Sequence, residues 1–238
     1  MTLRKGKYRR NPKTFFENGI TRVLTRLIAV TFGLSDQYQC PTGLVGKLIA
    51  KLMNQEHEPL TIWGLTKVKI APNDVILDVG CGGGKTVSRV AQQAPKGTVF
   101  GIDYSADMVK YTKKVNKGLI ARNRVYIVRG SVEKMGFHNN YFNLVTAFET
   151  TYFWPSFSDA LKEIQRVLKP DGTLLLVNEM VQDGMYEVKY AKLIKETHMR
   201  LLPLEEIRSI LQSVGFEGVQ VFTKPESPWN AVLAQKAN

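Results

Sequence analysis

A short apolar run that ends in a glycine-rich turn constrains this chain more than any other feature. Val75-Ile76-Leu77-Asp78-Val79 leads directly into Gly80-Cys81-Gly82-Gly83-Gly84. Val75, Ile76, Leu77 and Val79 are largely β-branched, the pattern of a strand covered on both faces, and such strands belong to parallel sheets flanked by helices. From Lys85 onward the apolar spacing changes to Val87, Val90 and Ala91, which is a helical period. Strand, tight turn and helix therefore follow in order. Glycine tolerates positive φ and lets the backbone approach a ligand that any Cβ would push away. The helix start adds N–H groups without intrahelical partners, so the arrangement suits a cofactor that carries a carboxylate or a phosphate.

Three cofactors use loops of this kind. The dinucleotide fingerprint G-x-G-x-x-G, counted from Gly80 and Gly82, requires a glycine where Lys85 stands. The phosphate loop G-x-x-x-x-G-K-[ST] finds its end in Gly84-Lys85-Thr86 but requires a glycine where Val79 stands. What remains is Asp78-x-Gly80-x-Gly82-x-Gly84, and this resembles motif I of the class I S-adenosylmethionine-dependent methyltransferases. The resemblance extends from about Ile70 to Met180. Thr98 to Asp103 reads as a second strand ending in a carboxylate, and Ile102 to Met108 resembles the family's second motif. Val125 to Glu133 is similar to the third strand and the adenine loop, with Ser131 where the family commonly has an acid. Phe142 to Phe148 reads as strand four, and Ala160 to Gly172 resembles the helix and turn before strand five, with Asp171 in place of a frequent glycine.

The resemblance implies an α/β fold: a Rossmann-like, doubly wound, seven-stranded and mostly parallel sheet with an antiparallel C-terminal edge, preceded by an N-terminal helical cap. It divides the chain into a basic tail and cap over residues 1–65 and a catalytic domain over residues 66–238. It implies S-adenosylmethionine as cofactor. Gly80 and Gly82 then pass the methionine moiety, Asp78 helps hold its ammonium, and Asp103 binds the ribose hydroxyls. Tyr104 and Met108 flank adenine, with Ser131, Val132 and Phe148 completing the cofactor side. Each acid also has a purely structural role open to it: Asp78 as a helix cap and Asp103 as a turn residue at a strand end.

Methyl transfer from a sulfonium is an in-line displacement, so the protein mainly aligns donor and acceptor and excludes water. The acceptor side is expected just beyond strand four, in Glu149-Thr150-Thr151-Tyr152-Phe153-Trp154-Pro155, because ligands of open α/β sheets bind at the carboxyl ends of the strands. A base is needed for a protonated amine or a phenol, and the candidates are Glu149, His57 and Tyr152. Trp63, Thr151, Tyr152 and Trp154 are the candidate acceptor-binding residues, whereas Phe153 is expected to pack a helix on the sheet. Glu149 has the alternative of orienting the cap through Thr61 or Trp63. His138 reads as a turn residue, and His198 falls in a charged helix.

The 238 residues suit one domain with a sizeable core, and the 44% hydrophobic content is that of a globular chain. Gly43 to Asn54, Met185 to Leu202 and Leu204 to Val214 have helical spacing, the last stopped by Gly215. Val219 to Thr223 and Ala231 to Ala234 read as two final strands. The two cysteines, Cys40 and Cys81, form neither a metal nor a disulfide pattern, which with the lack of a secretory signal points to a cytoplasmic, reducing setting. No apolar run approaches the ~18 residues of a membrane span. The net charge of +12 is concentrated at the start, where Arg4, Lys5, Lys7, Arg9, Arg10 and Lys13 precede an apolar stripe of Ile20, Val23, Leu24, Leu27 and Ile28. This is either a solvated tail with a packed helix or a peripheral membrane-surface contact, with nucleic acid third. Glu149-Thr150-Thr151-Tyr152 departs from the Asn/Asp-Pro-Pro-Tyr/Phe quartet of many nucleic-acid amino-methyltransferases. A small-molecule acceptor, methylated at N or O and aromatic, amine or lipid-like, is the leading expectation. An RNA methyltransferase and a non-catalytic S-adenosylmethionine-binding regulator are the alternatives.

Overall fold

The computed structural model describes residues 41–184 and 186–238, so the basic segment, the apolar stripe and Cys40 lie outside the described residues. Seven strands form one sheet: β1 (Val75–Val79), β2 (Thr98–Asp103), β3 (Val125–Arg129), β4 (Phe142–Phe148), β5 (Leu168–Asn178), β6 (Phe216–Thr223) and β7 (Asn230–Lys236). Their order is β3-β2-β1-β4-β5-β7-β6. The pairs β3–β2, β2–β1, β1–β4 and β4–β5 are parallel, and β7 runs antiparallel to both β5 and β6. This is the doubly wound sheet with an antiparallel last pair. The chain winds outward from β1 in both directions, so the switch point lies between β1 and β4, where a crevice opens at the strand ends. Val79 pairs with Ile102 on one side and with Ala147 on the other, which brings the loops after β1, β2 and β4 together.

Alternation along the strands divides the core between two faces. On β1, Ile76 faces Leu60, Val87, Val90 and Ala91, while Leu77 faces the side that holds Ala160, Leu161, Ile164 and Leu211. Helices Glu58–Leu65 and Lys85–Gln93 therefore cover one face, and Phe157–Val167 and Leu204–Ser213 the other. Helix Gly43–Glu56 precedes them, and no helix among the described residues is long and apolar enough to cross a membrane.

Three local details differ from the periodicity reading. The turn before strand five lies inside a longer β5, where Phe142 pairs with Leu168 but Leu144 with Thr173, and Asp171 takes the left-handed φ of 58°. An aspartate tolerates that conformation because its short side chain can bond locally. The single helix expected from Met185 to Leu202 is instead two short ones, Tyr186–Lys189 and Ala191–Thr197. His198 closes the second with φ 53°, outside the helix proper, and Pro203 disfavours helical backbone at Leu202. The last two strands are longer than expected, and the β6–β7 register shifts between Glu217 and Gln220, around Gly218 at φ 60°.

Candidate functional site

The glycine turn is tied to β2 as well as to its own strand. The N–H groups of Gly80 and Cys81 donate to the Ile102 carbonyl at 2.9 and 3.0 Å, and the Gly82 N–H donates to Asp103 Oδ2 at 2.8 Å. Two glycines are needed for different reasons. A Cβ on Gly80, whose φ is 67°, would collide with the Thr150 side chain, with Thr150 Cβ only 2.7 Å away. A Cβ on Gly82 would meet nothing nearer than 3.7 Å, because its bare backbone faces the open cleft. Helix Lys85–Gln93 follows with Gly84 at its N-cap and no side-chain cap, which leaves its first N–H groups aimed at the same space.

A cavity of about 120 Å³ extends from this turn and is lined by Asp78, Gly82, Asp103, Met108, Phe148 and Glu149 among others. A second, of about 320 Å³, lies over Asp103, Ser131, Val132 and Trp154. Both are bordered by Gly80, Asp103, Tyr104, Thr150 and Phe153, so together they form one cleft across the carboxyl ends of β1, β2 and β4. Every residue expected on the cofactor side lines it. Met108 is buried, Tyr104 is 47% exposed at the rim, and Ser131 is exposed, its hydroxyl accepting the Glu133 N–H at 3.3 Å.

Two buried carboxylates set the charge of the cleft. Asp78 accepts the Thr146 hydroxyl at 2.8 Å rather than capping a helix. Burial pushes its pKa up to about 7 from 3.8; the Thr146 hydrogen bond opposes this and the nearby Asp103 charge adds to it. Asp103 accepts the N–H groups of Ser105 at 2.9 Å and Gly82 at 2.8 Å, so it does close the turn after β2 while also facing the cleft. Burial pushes its pKa up, and those two N–H groups partly offset the rise. Two buried carboxylates, exposed glycine backbone and the Lys85 and Arg89 side chains at the same cleft match a zwitterionic ligand carrying an ammonium, a carboxylate and vicinal hydroxyls.

On the acceptor side Glu149 stands immediately after β4 with φ 56°, a conformation uncommon for a residue with a Cβ. Its N–H donates to the Val177 carbonyl at 2.9 Å, and its Oε1 accepts the Tyr152 hydroxyl at 3.1 Å together with the Glu179 N–H. Its Oε2 lies 3.8 Å from His57 Nε2. His57 occupies the junction between helices Gly43–Glu56 and Glu58–Leu65, which points it into the cleft from above. All three expected base candidates thus meet, but in unequal roles. Tyr152 is buried, and its oxygen also accepts the Met180 N–H at 2.9 Å. Burial and the Glu149 charge hold its pKa well above 10, so the phenol stays protonated and positions Glu149. Glu149 also meets the cap through His57, while the Thr61 hydroxyl donates to the His57 carbonyl at 2.8 Å.

The expected acceptor-binding residues are redistributed. Trp63 does not line the cleft: its ring lies 6.1 Å from Trp229, with the Lys67 ammonium 5.0 Å above it. Thr151 donates to Asn178 Oδ1 at 2.8 Å, away from the donor cleft. Trp154 is buried and stacked 5.6 Å from Phe157, reaching only the larger cavity. Phe153, expected to be packing, borders both cavities. The cause is the 3₁₀ turn Thr151–Phe153, whose three residues per turn send Tyr152 inward and Phe153 into the cleft. Two contributors were missed. Asn54 Nδ2 donates to the Gly83 carbonyl at 2.9 Å and fastens the cap to the glycine turn. Glu179, just beyond β5, could have been found by the strand-end rule that found Glu149. His138 is exposed in its turn, as expected.

Residues 77–176 match the family described as a methyltransferase domain. The chain is 30% identical over 184 residues to a sterol 24-C-methyltransferase of Kluyveromyces lactis, covering 70% of this chain and 48% of that protein. It is 28% identical over 180 residues to a demethylmenaquinone methyltransferase of Lactiplantibacillus plantarum, covering 65% of this chain and 75% of that protein. It thus spans about half of the sterol relative's length. Its fold superposes with TM-score 0.66 on a Haemonchus contortus phosphoethanolamine N-methyltransferase 2 in complex with S-adenosyl-L-methionine, at 17% identity over 77% of this chain and 53% of that one.

Proposed function

Because the chain belongs to the class I S-adenosylmethionine-dependent methyltransferase family, with S-adenosylmethionine as cofactor, we propose that it methylates N or O of a small-molecule acceptor that is aromatic, amine or lipid-like. Residues 1–65 serve as tail and cap in this reading, and residues 66–238 as the catalytic unit. The bound cofactor supplies an electrophilic methyl group on a cationic sulfur. The chain's own residues do the rest. Asp78 pairs with the cofactor's ammonium, the N–H groups at the start of Lys85–Gln93 take its carboxylate, and Asp103 takes the ribose hydroxyls. Phe153 separates this half of the cleft from the acceptor half, and Glu149 with His57 removes the acceptor's proton.

The observation that carries this reading is the meeting of Glu149 Oε2 and His57 Nε2, 3.8 Å apart, at the edge of the donor cleft. Labelled S-adenosylmethionine incubated with the protein and fractionated host extract tests it. Label should enter a low-molecular-mass fraction, and Glu149→Gln should keep cofactor affinity while turnover falls by about 10²-fold or more, the usual range for a positioned base. Label in RNA, lost steeply with added salt, would replace the reading with nucleic-acid methylation suited to the +12 net charge. Cofactor binding without transfer to any fraction would leave a regulatory binder. Flotation with anionic vesicles, with and without residues 1–35, tests whether the basic segment holds the enzyme at a membrane surface.

A further inference from the structure

The lysine and arginine side chains of the cleft are confined to one end. The smaller cavity, of about 120 Å³, is bordered by Lys85 and Arg89 beside the glycine turn and by the Asp78 carboxylate. The larger cavity, of about 320 Å³, has no lysine or arginine in its wall among the described residues. Lys85 and Arg89 stand one turn apart on helix Lys85–Gln93 and share a face, while Val87, Val90 and Ala91 are buried against the sheet. Lys85 is exposed, whereas the Arg89 side chain is 18% exposed and held in place.

What holds Arg89 is a carboxylate from the cap. Its Nη2 donates to Oε1 of Glu58, the first residue of helix Glu58–Leu65. The contact joins cap to catalytic domain, yet it is a poor structural tie. It runs through one nitrogen, and the Glu58 side chain is 51% exposed. Pairs of this kind stabilise a fold little, because water competes for both charges. Both planar forks of a guanidinium, Nη1 with Nη2 and Nε with Nη2, include the nitrogen that Glu58 takes. A second carboxylate seated in a fork therefore meets Glu58 at the same atom, and the like charges repel.

Resting on the cofactor assignment above, we infer that Arg89 is the residue that selects the carboxylate of S-adenosylmethionine, and that Glu58 is the internal carboxylate that the ligand displaces. Asp78 and Arg89, both at the smaller cavity, then match the ammonium and the carboxylate of one amino-acid head, and the adenosine end is left to the larger cavity. The uneven charge of the cleft thus decides which way round the ligand lies. Exchange of a single-point, half-exposed partner for a bidentate one is favourable at Arg89. It also removes one of the contacts between the cap and helix Lys85–Gln93, while Asn54, which donates to the Gly83 carbonyl at 2.9 Å, keeps the cap fastened at the glycine turn.

Calorimetry with two ligands that differ in one group tests this: S-adenosylmethionine and its decarboxylated analogue. The wild type should bind the first at least tenfold more tightly, the usual scale for a charge-assisted contact. Arg89→Ala should weaken S-adenosylmethionine about tenfold or more and leave the analogue within twofold, so that the preference is lost; Arg89→Lys should keep part of it. Glu58→Gln should tighten S-adenosylmethionine about two- to fivefold, and should have no such effect when combined with Arg89→Ala. The analogue's affinity reports folding of each variant, since it needs the rest of the cleft, and the wild-type preference and Glu58→Gln are read without any change at Arg89. An Arg89→Ala that weakens both ligands alike, or neither, overturns the selection by Arg89. A Glu58→Gln that weakens S-adenosylmethionine overturns the displacement. Equal binding of the two ligands by the wild type overturns the inference while leaving the cofactor assignment standing, and binding of neither overturns both.

Discussion

Asp78→Asn should stabilise the cofactor-free protein at alkaline pH and cripple cofactor binding in the same step. Asp78 is 2% exposed, one residue from the end of β1, and its carboxyl has the Thr146 hydroxyl as its hydrogen-bond partner at 2.8 Å. Burial pushes its pKa up to about 7, against 3.8 for an unperturbed group. The sign follows from proton counts. Between those two values the folded protein keeps a proton that the unfolded chain has lost, so stability is full below about pH 4 and declines as pH rises towards 7. At ~1.4 kcal/mol per tenfold, a separation of about three pH units corresponds to an upper value of about 4 kcal/mol. Relaxation and water entry reduce it, and about 2–4 kcal/mol is expected. For a chain of this size that is a rise in Tm of roughly 5–15 °C at pH 8.5. The amide still accepts from Thr146, so the hydrogen bond does not confound the comparison.

The assay is thermal unfolding of wild type and Asp78→Asn at pH 5 and pH 8.5, paired with calorimetric titration of S-adenosylmethionine. The stability gain should be full at pH 8.5 and reduced to about 40% of that at pH 5, where the unfolded carboxyl is already largely ionised. Wild-type affinity should weaken below about pH 7, because an ammonium partner binds the ionised carboxylate, and binding at pH 6 should release a proton to the buffer. Equal stability of the two proteins at pH 8.5 would refute the burial argument. Undiminished affinity in the variant would refute the ammonium contact.

Asp103→Ala removes the acceptor for the Gly82 and Ser105 N–H groups and the proposed ribose contact, so S-adenosylmethionine and its demethylated product should both bind at least tenfold more weakly in calorimetry. Gly80→Ala combines a φ of 67° with a collision against Thr150, and should lower stability by about 2 kcal/mol or more in denaturant unfolding; Thr150→Gly should return the collision part but not the backbone part. Tyr152→Phe leaves the Glu149 carboxylate and the Met180 N–H without their shared partner. Its kcat should fall several-fold with cofactor affinity unchanged, and its pH–rate profile should keep its alkaline limb, since a phenol held well above 10 is not the titrating base.

The donor half of the cleft was legible in the chain because each requirement is local. Gly80 and Gly82 are favoured by their own positive φ values, Gly80 also by the Thr150 side chain beside it, and Asp78 and Asp103 sit at the ends of strands whose apolar runs announce them. The acceptor half is assembled from distant pieces, and there local pattern failed. Trp63 has a partner, Trp229, that lies near the far end of the chain. Phe153 borders both cavities and Trp154 the larger one, a division that depends on the rotation of one 3₁₀ turn, which composition does not encode. Apolar spacing from Met185 to Leu202 satisfied a helix, yet His198 and Pro203 were the residues that decided the end of it.

The two halves meet directly at Thr150 and Glu149. Thr150 fills the space where Gly80 lacks a side chain, and the preceding residue is Glu149, whose left-handed backbone costs on the order of 1–3 kcal/mol in other contexts. That conformation is held by the Val177 carbonyl, the Glu179 N–H and the Tyr152 hydroxyl. The carboxylate is thereby aimed at His57 while the next residue closes against the glycine turn. The proposed donor and acceptor positions are therefore linked through adjacent residues, Glu149 and Thr150. In a displacement that requires collinear alignment, this short connection between Gly80 and Glu149 would hold the proposed acceptor position against the glycine turn.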